Sequence, residues 1–130
     1  MGSPLMTRDF AVLPLTPAAD YSAKAGYLGT FSGETFTVSA SATTPATGVI
    51  LEGAATTGQV SVGILGNLAG SCRMKAGGSI TKGDWVQQHT DGRVVTDAGS
   101  GGRVIVGVAI EGGVANDLIE IAPVTPTPKS

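Results

Sequence analysis

Residues 77–121 consist of short apolar runs separated by glycine pairs and by Gly-Asp and Asp-Gly steps, with few reactive side chains among them. Glycine and aspartate at such spacing are typical of tight turns, several of which need a positive φ. The whole chain contains 20 glycines and 7 prolines, which is high for a helical protein. We therefore predict an all-β fold, a small barrel or sandwich of about eight short strands.

Alternation of apolar and polar residues predicts where the strands lie. The clearest case is residues 34–40, where Phe36, Val38 and Ala40 alternate with threonine and serine. Asp91-Gly92 between two apolar runs predicts a β-hairpin. Residues 104–110 are almost continuously apolar, which predicts a central strand buried on both faces. Further strands are predicted at residues 48–52, 59–65, 71–76, 93–95 and 118–121, and from residue 85 onward.

Proline positions divide the chain into an N-terminal segment (residues 1–33), a β-domain (34–122) and a C-terminal tail (123–130). Prolines at 4, 14 and 17 interrupt the first segment, which predicts an extended arm. Alternation around Phe10 and Val12 equally fits an edge strand at residues 8–13. The proline-rich tail is predicted to be a flexible, polyproline II-like or disordered end.

Charge and composition disfavour several classes of partner. The formal net charge is −2 and the eight lysines and arginines are scattered, so no nucleic-acid partner is expected. No apolar run approaches the roughly 20 residues that span a bilayer, and no signal peptide is recognisable, so we expect a soluble protein made in a cytoplasm. Residues 1–5 are compatible with an expression scar before Met6.

Chemistry-bearing residues are too sparse to predict an enzyme. Cys72 and His89 are single residues of their types, so neither a disulfide framework nor a usual zinc ligand set can be assembled. We interpret Cys72 as a small, buried strand residue and His89 as an exposed turn residue beside Asp91. The least implausible enzyme is a hydrolase using both, which requires the two side chains to lie within hydrogen-bond distance. No catalytic residue, cofactor or metal ion is expected.

Two further patterns are interpreted as structural. Residues 99–102 are glycine-rich but lack the Lys-Ser/Thr ending of a phosphate-binding loop, so we expect a hairpin loop. Aspartates at 84, 91, 97 and 117 lie beside glycine or asparagine or in loops, which is typical of turns rather than of a calcium site. Trp85, the only tryptophan, follows a turn; we favour a core position for it over a subunit contact.

Four segments in the C-terminal half carry a family resemblance. They are Ile80-Thr-Lys-Gly-Asp-Trp-Val86, Asp91-Gly-Arg-Val94, Val104-Ile-Val-Gly-Val-Ala109 and Leu118-Ile-Glu-Ile121. In this order they resemble the C-terminal half of small bacteriophage capsid cement proteins, a family once labelled a phage recombinase and later a domain of unknown function. The segment before residue 34 resembles the family only loosely. The recombinase label fits poorly, because the chain has neither a phosphate-binding loop nor a basic surface.

The resemblance implies a structural, non-enzymatic protein on the head surface of a virion. It implies a homotrimer that binds between subunits of the major capsid protein and stabilises the expanded shell. An extended arm could add to the sheet edge of a partner through backbone hydrogen bonds. The candidate partner contacts are Phe10, Val12, Leu13, Tyr21, Tyr27 and Trp85. The alternative is a phage tail or baseplate protein that assembles into rings.

Overall fold

Ten β-strands form in residues 12–68 and 70–130, the part of the chain that the computed structural model describes. The strands are β1 (Val12–Pro17), β2 (Leu28–Ser32), β3 (Thr35–Val38), β4 (Gly48–Glu52), β5 (Val60–Ile64), β6 (Cys72–Lys75), β7 (Trp85–Gln88), β8 (Val94–Thr96), β9 (Arg103–Ala109) and β10 (Leu118–Lys129). Nothing in these two ranges is helical, and accordingly no described helix could cross a membrane. The predicted all-β class is confirmed.

The first five strands close into a small barrel with the order β1-β3-β2-β4-β5. β1 pairs with β3 in parallel and with β5 in antiparallel orientation, which closes the ring. One face of each strand points into the barrel, where Phe36, Ile50 and Val62 are fully buried. The described part of residues 1–33 is therefore neither the predicted extended arm nor an edge strand. Its residues 12–17 have strand neighbours on both sides, because Leu15 supplies apolar area that the barrel core needs.

The last five strands form a curled sheet with the order β6-β10-β9-β7-β8. Its two outer strands meet where Ala76 bridges Val94 and the Gly77 N–H donates to the Val94 carbonyl at 2.7 Å. The core of this unit includes Met74, Val86, Val104, Val106, Ile119 and Ile121. β9 lies at the centre of the sheet, as its apolar sequence predicted.

The C-terminal segment does not form the predicted flexible tail. β10 continues to Lys129, and Thr127, Pro128 and Lys129 pair with the first residues of β9. Proline cannot donate a ladder hydrogen bond, so it is tolerated where its nitrogen faces an open sheet edge. β6 pairs with β10 only as far as Ile121, so the remainder of β10 has such an edge. That prediction is wrong because tertiary pairing with β9, which local sequence does not encode, provides the segment with a strand neighbour on one side and an open edge on the other.

The two units are joined by buried polar contacts. The Leu28 N–H of the barrel donates to the Gly92 carbonyl at 2.8 Å, and the Lys75 N–H donates to the Gly26 carbonyl at 2.9 Å. Gly92 adopts a φ of 87° at the tip of the β7–β8 hairpin, which confirms the predicted turn. However, this tip is packed against the barrel rather than freely exposed, since a Cβ on Gly92 would lie 2.7 Å from Val38.

Candidate functional site

A groove of about 460 Å³ crosses the outer face of the second sheet. Its lining comes from the central strands and from one loop: Trp85 on β7, Arg103 and Ile105 on β9, Val124, Thr127 and Lys129 on β10, and Asp97 after β8. Apolar side chains and charged side chains therefore meet in one concave surface. This volume lies within the range of about 300–1,000 Å³ that is usual for ligand-binding clefts.

Irregular strand pairing shapes the groove. Pro123 pairs with Gly107 and Thr127 pairs with Ile105, so residues 124–126 of β10 face the single Val106 of β9. A second register shift lies between Val86 and Gln87, where β7 pairs with β9. Extra residues of this kind bulge from a strand and change the direction of its side chains. Here they place Val124 in the lining of the groove.

Strand alternation decides the position of Trp85. Val86 and Gln88 of β7 are fully buried, so Trp85 and Gln87 project from the opposite face. The Trp85 side chain is consequently 51% exposed. The favoured prediction of a core tryptophan is wrong, because the residue directly after it occupies the core position.

A pair of opposite charges forms one side of the groove. The Nε of Arg103 donates to Asp97 Oδ1, and its Nη1 donates to the Gly101 carbonyl at 3.0 Å. The backbone N–H of Gly99 also donates to Asp97 Oδ1, at 3.0 Å, and together with Arg103 it lowers the pKa of Asp97. Arg103 is only 9% exposed as a residue. Both charges are therefore held in fixed positions at neutral pH.

The sequence-predicted contact residues do not share one surface. Tyr21 is 7% exposed in the barrel core, where its hydroxyl accepts a hydrogen bond from the Val38 N–H at 3.1 Å, so it is not a surface contact. Val12 and Leu13 are half-buried on β1, and Leu13 packs against the barrel core. Tyr27 is half-buried, with the Lys24 ammonium 4.4 Å from its ring centroid. Phe10 lies outside the described residues.

Among the predicted contact residues that the structure describes, only Trp85 lies in the groove. Sequence reasoning missed Arg103 and Asp97 as a pair, because glycine-rich residues 99–102 between them were read only as a loop. It missed Val124, Thr127 and Lys129 because they lie in the segment that is predicted to be a flexible, polyproline II-like or disordered end. Their signal was the β-branched type of Val124, Thr125 and Thr127, which lie between the prolines.

Cys72 and His89 remain separate. Cys72 is buried on β6, and its pKa is raised to about 11, chiefly by burial and then by the charge of Glu120. Its thiol is therefore protonated and poorly nucleophilic at neutral pH. The Nδ1 of His89 lies 3.2 Å from Asp91 Oδ1, on a half-exposed surface. Asp91 in turn accepts hydrogen bonds from Arg93, which is the largest cause of its pKa of about 2.

The aspartates stabilise turns, as their positions predicted. Asp84 Oδ2 accepts a hydrogen bond from the Thr81 N–H at 3.0 Å, and Asp117 Oδ2 accepts one from the Val114 N–H at 2.9 Å. Asp91 and Asp97 accept equivalent bonds from the backbone two residues later. Within residues 12–68 and 70–130, no three potential metal ligands of the His, Cys, Asp or Glu types are grouped together.

No protein-family model matches the chain, and no curated protein is similar to it. Among solved structures, the chain is similar to the N base of the head fiber gp8.5 of bacteriophage phi29. The TM-score is 0.61 at 18% sequence identity, and the match covers 92% of this chain and 98% of that chain. The two proteins therefore share a fold over nearly their whole lengths.

Proposed function

We propose that this protein is a structural component of a bacteriophage virion that binds the outer surface of the head. The observation that carries the proposal is the shared fold with a protein described as the N base of a phage head fiber, which extends over 92% of this chain. The resemblance of residues 80–121 to capsid cement proteins supports the same place of action. This resemblance rests on the identities of strand and turn residues, whereas the similarity to the head fiber base rests on the overall fold, so the two observations are independent.

The finer proposal is a cement role: homotrimers bind the major capsid protein between its subunits and stabilise the expanded shell. The large apolar side chains exposed in the described residues are the candidates for such contacts, and they occur on both units: Phe31, Leu51, Trp85, Ile110 and Val114. A shell presents many identical sites, so contacts that are individually weak act together. The buried, protonated Cys72 supports a structural rather than an enzymatic role.

Sedimentation with heads tests this proposal directly. Purified protein is mixed with expanded heads of the phage that encodes it, prepared without the protein, and with unexpanded heads as the control. We expect the protein to pellet with expanded heads, and cryo-electron microscopy to show new density on their outer surface. Native mass spectrometry should give three times the chain mass of 12.9 kDa. A monomer that stays in the supernatant contradicts the proposal, as do hexameric rings that bind tails instead of heads.

A further inference from the structure

The groove beside Trp85 combines an apolar platform with a fixed pair of opposite charges, and nothing in the proposed head-binding role uses that combination. We propose that this groove is a saccharide-binding site. The inference stands on the groove alone and does not depend on attachment to a head. Its two parts, the platform and the polar side, recognise the two chemically different sides of a sugar ring.

Trp85 supplies the platform. Half of its side chain is exposed, although it is anchored on a strand whose next residue, Val86, is fully buried. Ile105 and Val124 also line the groove. A broad indole held on a sheet loses little conformational freedom on binding, and it offers a flat apolar surface with a polar N–H at one edge. The C–H face of a pyranose ring is an apolar surface of matching shape.

The Asp97–Arg103 pair supplies the polar side. Asp97 Oδ1 and Arg103 Nε are bonded to each other, while Asp97 Oδ2 and Arg103 Nη2 have no hydrogen-bond partner within the described ranges. Across those same ranges no buried side-chain nitrogen or oxygen lacks a partner, so these two atoms are reachable from solvent. Two residues that line the groove thus retain one free acceptor, Asp97 Oδ2, and one free donor, Arg103 Nη2. Neighbouring hydroxyls of a sugar can donate to the first and accept from the second.

The charges of the groove favour a hydroxyl-rich ligand that is not cationic. The lining carries two cations, Arg103 and Lys129, against the single Asp97 carboxylate, so it repels a cationic ligand and admits a neutral or an acidic saccharide. A purely apolar peptide would bury the free acceptor and donor without satisfying them, which costs free energy. A sugar satisfies both atoms and also covers the indole. Because the pair is already held by Gly99 and Gly101, little ordering is needed on binding.

Trp85 is the only tryptophan of the chain, so its fluorescence reports on this groove without interference. The protein, in whatever oligomeric state it has in solution, is titrated with glucose, galactose, N-acetylglucosamine and rhamnose, and with short oligosaccharides of each. We expect at least one of these probes to change the emission in a saturable way, with a Kd of about 1 mM or below. Saturation-transfer NMR then identifies which sugar protons contact the protein.

Variants separate the groove from the rest of the surface. W85A and D97N should each raise the Kd for the saccharide by about tenfold or more, as measured by calorimetry. F31A removes another partly exposed aromatic, on the barrel, and should leave the affinity unchanged. Circular dichroism of each variant checks that it is folded.

Three results would overturn the inference: no probe binds, F31A weakens binding as much as W85A, or Trp85 is protected from acrylamide quenching. The last result means that a second copy or another segment covers the groove. Saccharide binding by a protein that does not pellet with heads refutes only the head proposal. Head binding without any saccharide binding refutes only this one.

Discussion

Replacing Gln88 by methionine is expected to destabilise the protein strongly. Gln88 is fully buried on β7, and its side chain links this strand to the β3–β4 loop of the barrel. Its Oε1 accepts a hydrogen bond from the Ala46 N–H at 3.0 Å. Its Nε2 donates to the carbonyls of Ser41 at 2.8 Å and Thr44 at 2.7 Å. Methionine has a similar volume, so Q88M removes these bonds without leaving a large cavity.

The magnitude follows from what is left unpaired. Each intramolecular hydrogen bond contributes about 1 kcal/mol net, and a buried group that loses its partner costs about 1–3 kcal/mol. Ala46, whose N–H loses its acceptor, is only 2% exposed. We therefore expect Q88M to lower the free energy of unfolding by about 3–5 kcal/mol, out of a total of about 5–15 kcal/mol for a domain. For a chain of this length that corresponds to a fall in Tm of about 10–20 °C.

Gln87 provides a matched control, because it is the same residue type one position earlier. It faces the outside of the sheet, and its Oε1 accepts a single exposed hydrogen bond from the Ala98 N–H at 2.8 Å. Q87M should cost less than about 1 kcal/mol. Urea unfolding of both variants, followed by Trp85 fluorescence and circular dichroism, measures the difference. Equal destabilisation by Q87M and Q88M would refute the reasoning that the buried amide joins the two units.

Three other perturbations test particular features. Deleting residues 123–130 should lower stability by about 3 kcal/mol or more in urea unfolding, because it removes the partners of the first residues of β9; a true tail would give no change. Cys72 should react with a thiol reagent at pH 8 at least about a hundredfold more slowly than a free thiol. Since its folded pKa is raised from 9.0 to about 11, the contribution of Cys72 to stability should be constant below about pH 9 and should be lost as pH rises from 9 to 11; a C72A variant should lack this loss. G92A should lower the Tm more than G99A does. Both glycines have a positive φ, of 87° and 80°, but only at Gly92 would a Cβ collide with the other unit.

Most strands could be predicted because their signal is local. Residues 48–52 are predicted and observed as a strand with the same limits, since two β-branched residues lie between glycines. The Asp91-Gly92 turn and the central position of β9 were also correct. The sequence did not predict most of the candidate site. Of the residues that line the groove, only Trp85 is a sequence-predicted contact, and the groove also requires β10 to continue past its prolines.

Local sequence therefore determined the class of fold: alternation fixes which residues can be strand, and glycine with aspartate fixes where the chain turns. Tertiary structure alone decided how these strands divide into a closed barrel and a curled sheet, because pairing joins residues far apart in the chain. Gln87 and Gln88 illustrate what local sequence cannot determine, since they are adjacent residues of the same type. One faces solvent, and the other is fully buried because a loop 42 residues away supplies partners for its amide. The same limit applies to residues 77–121. The turns of this segment could be predicted from local sequence, but the groove exists only because the fold brings Trp85, Arg103 and the end of β10 together.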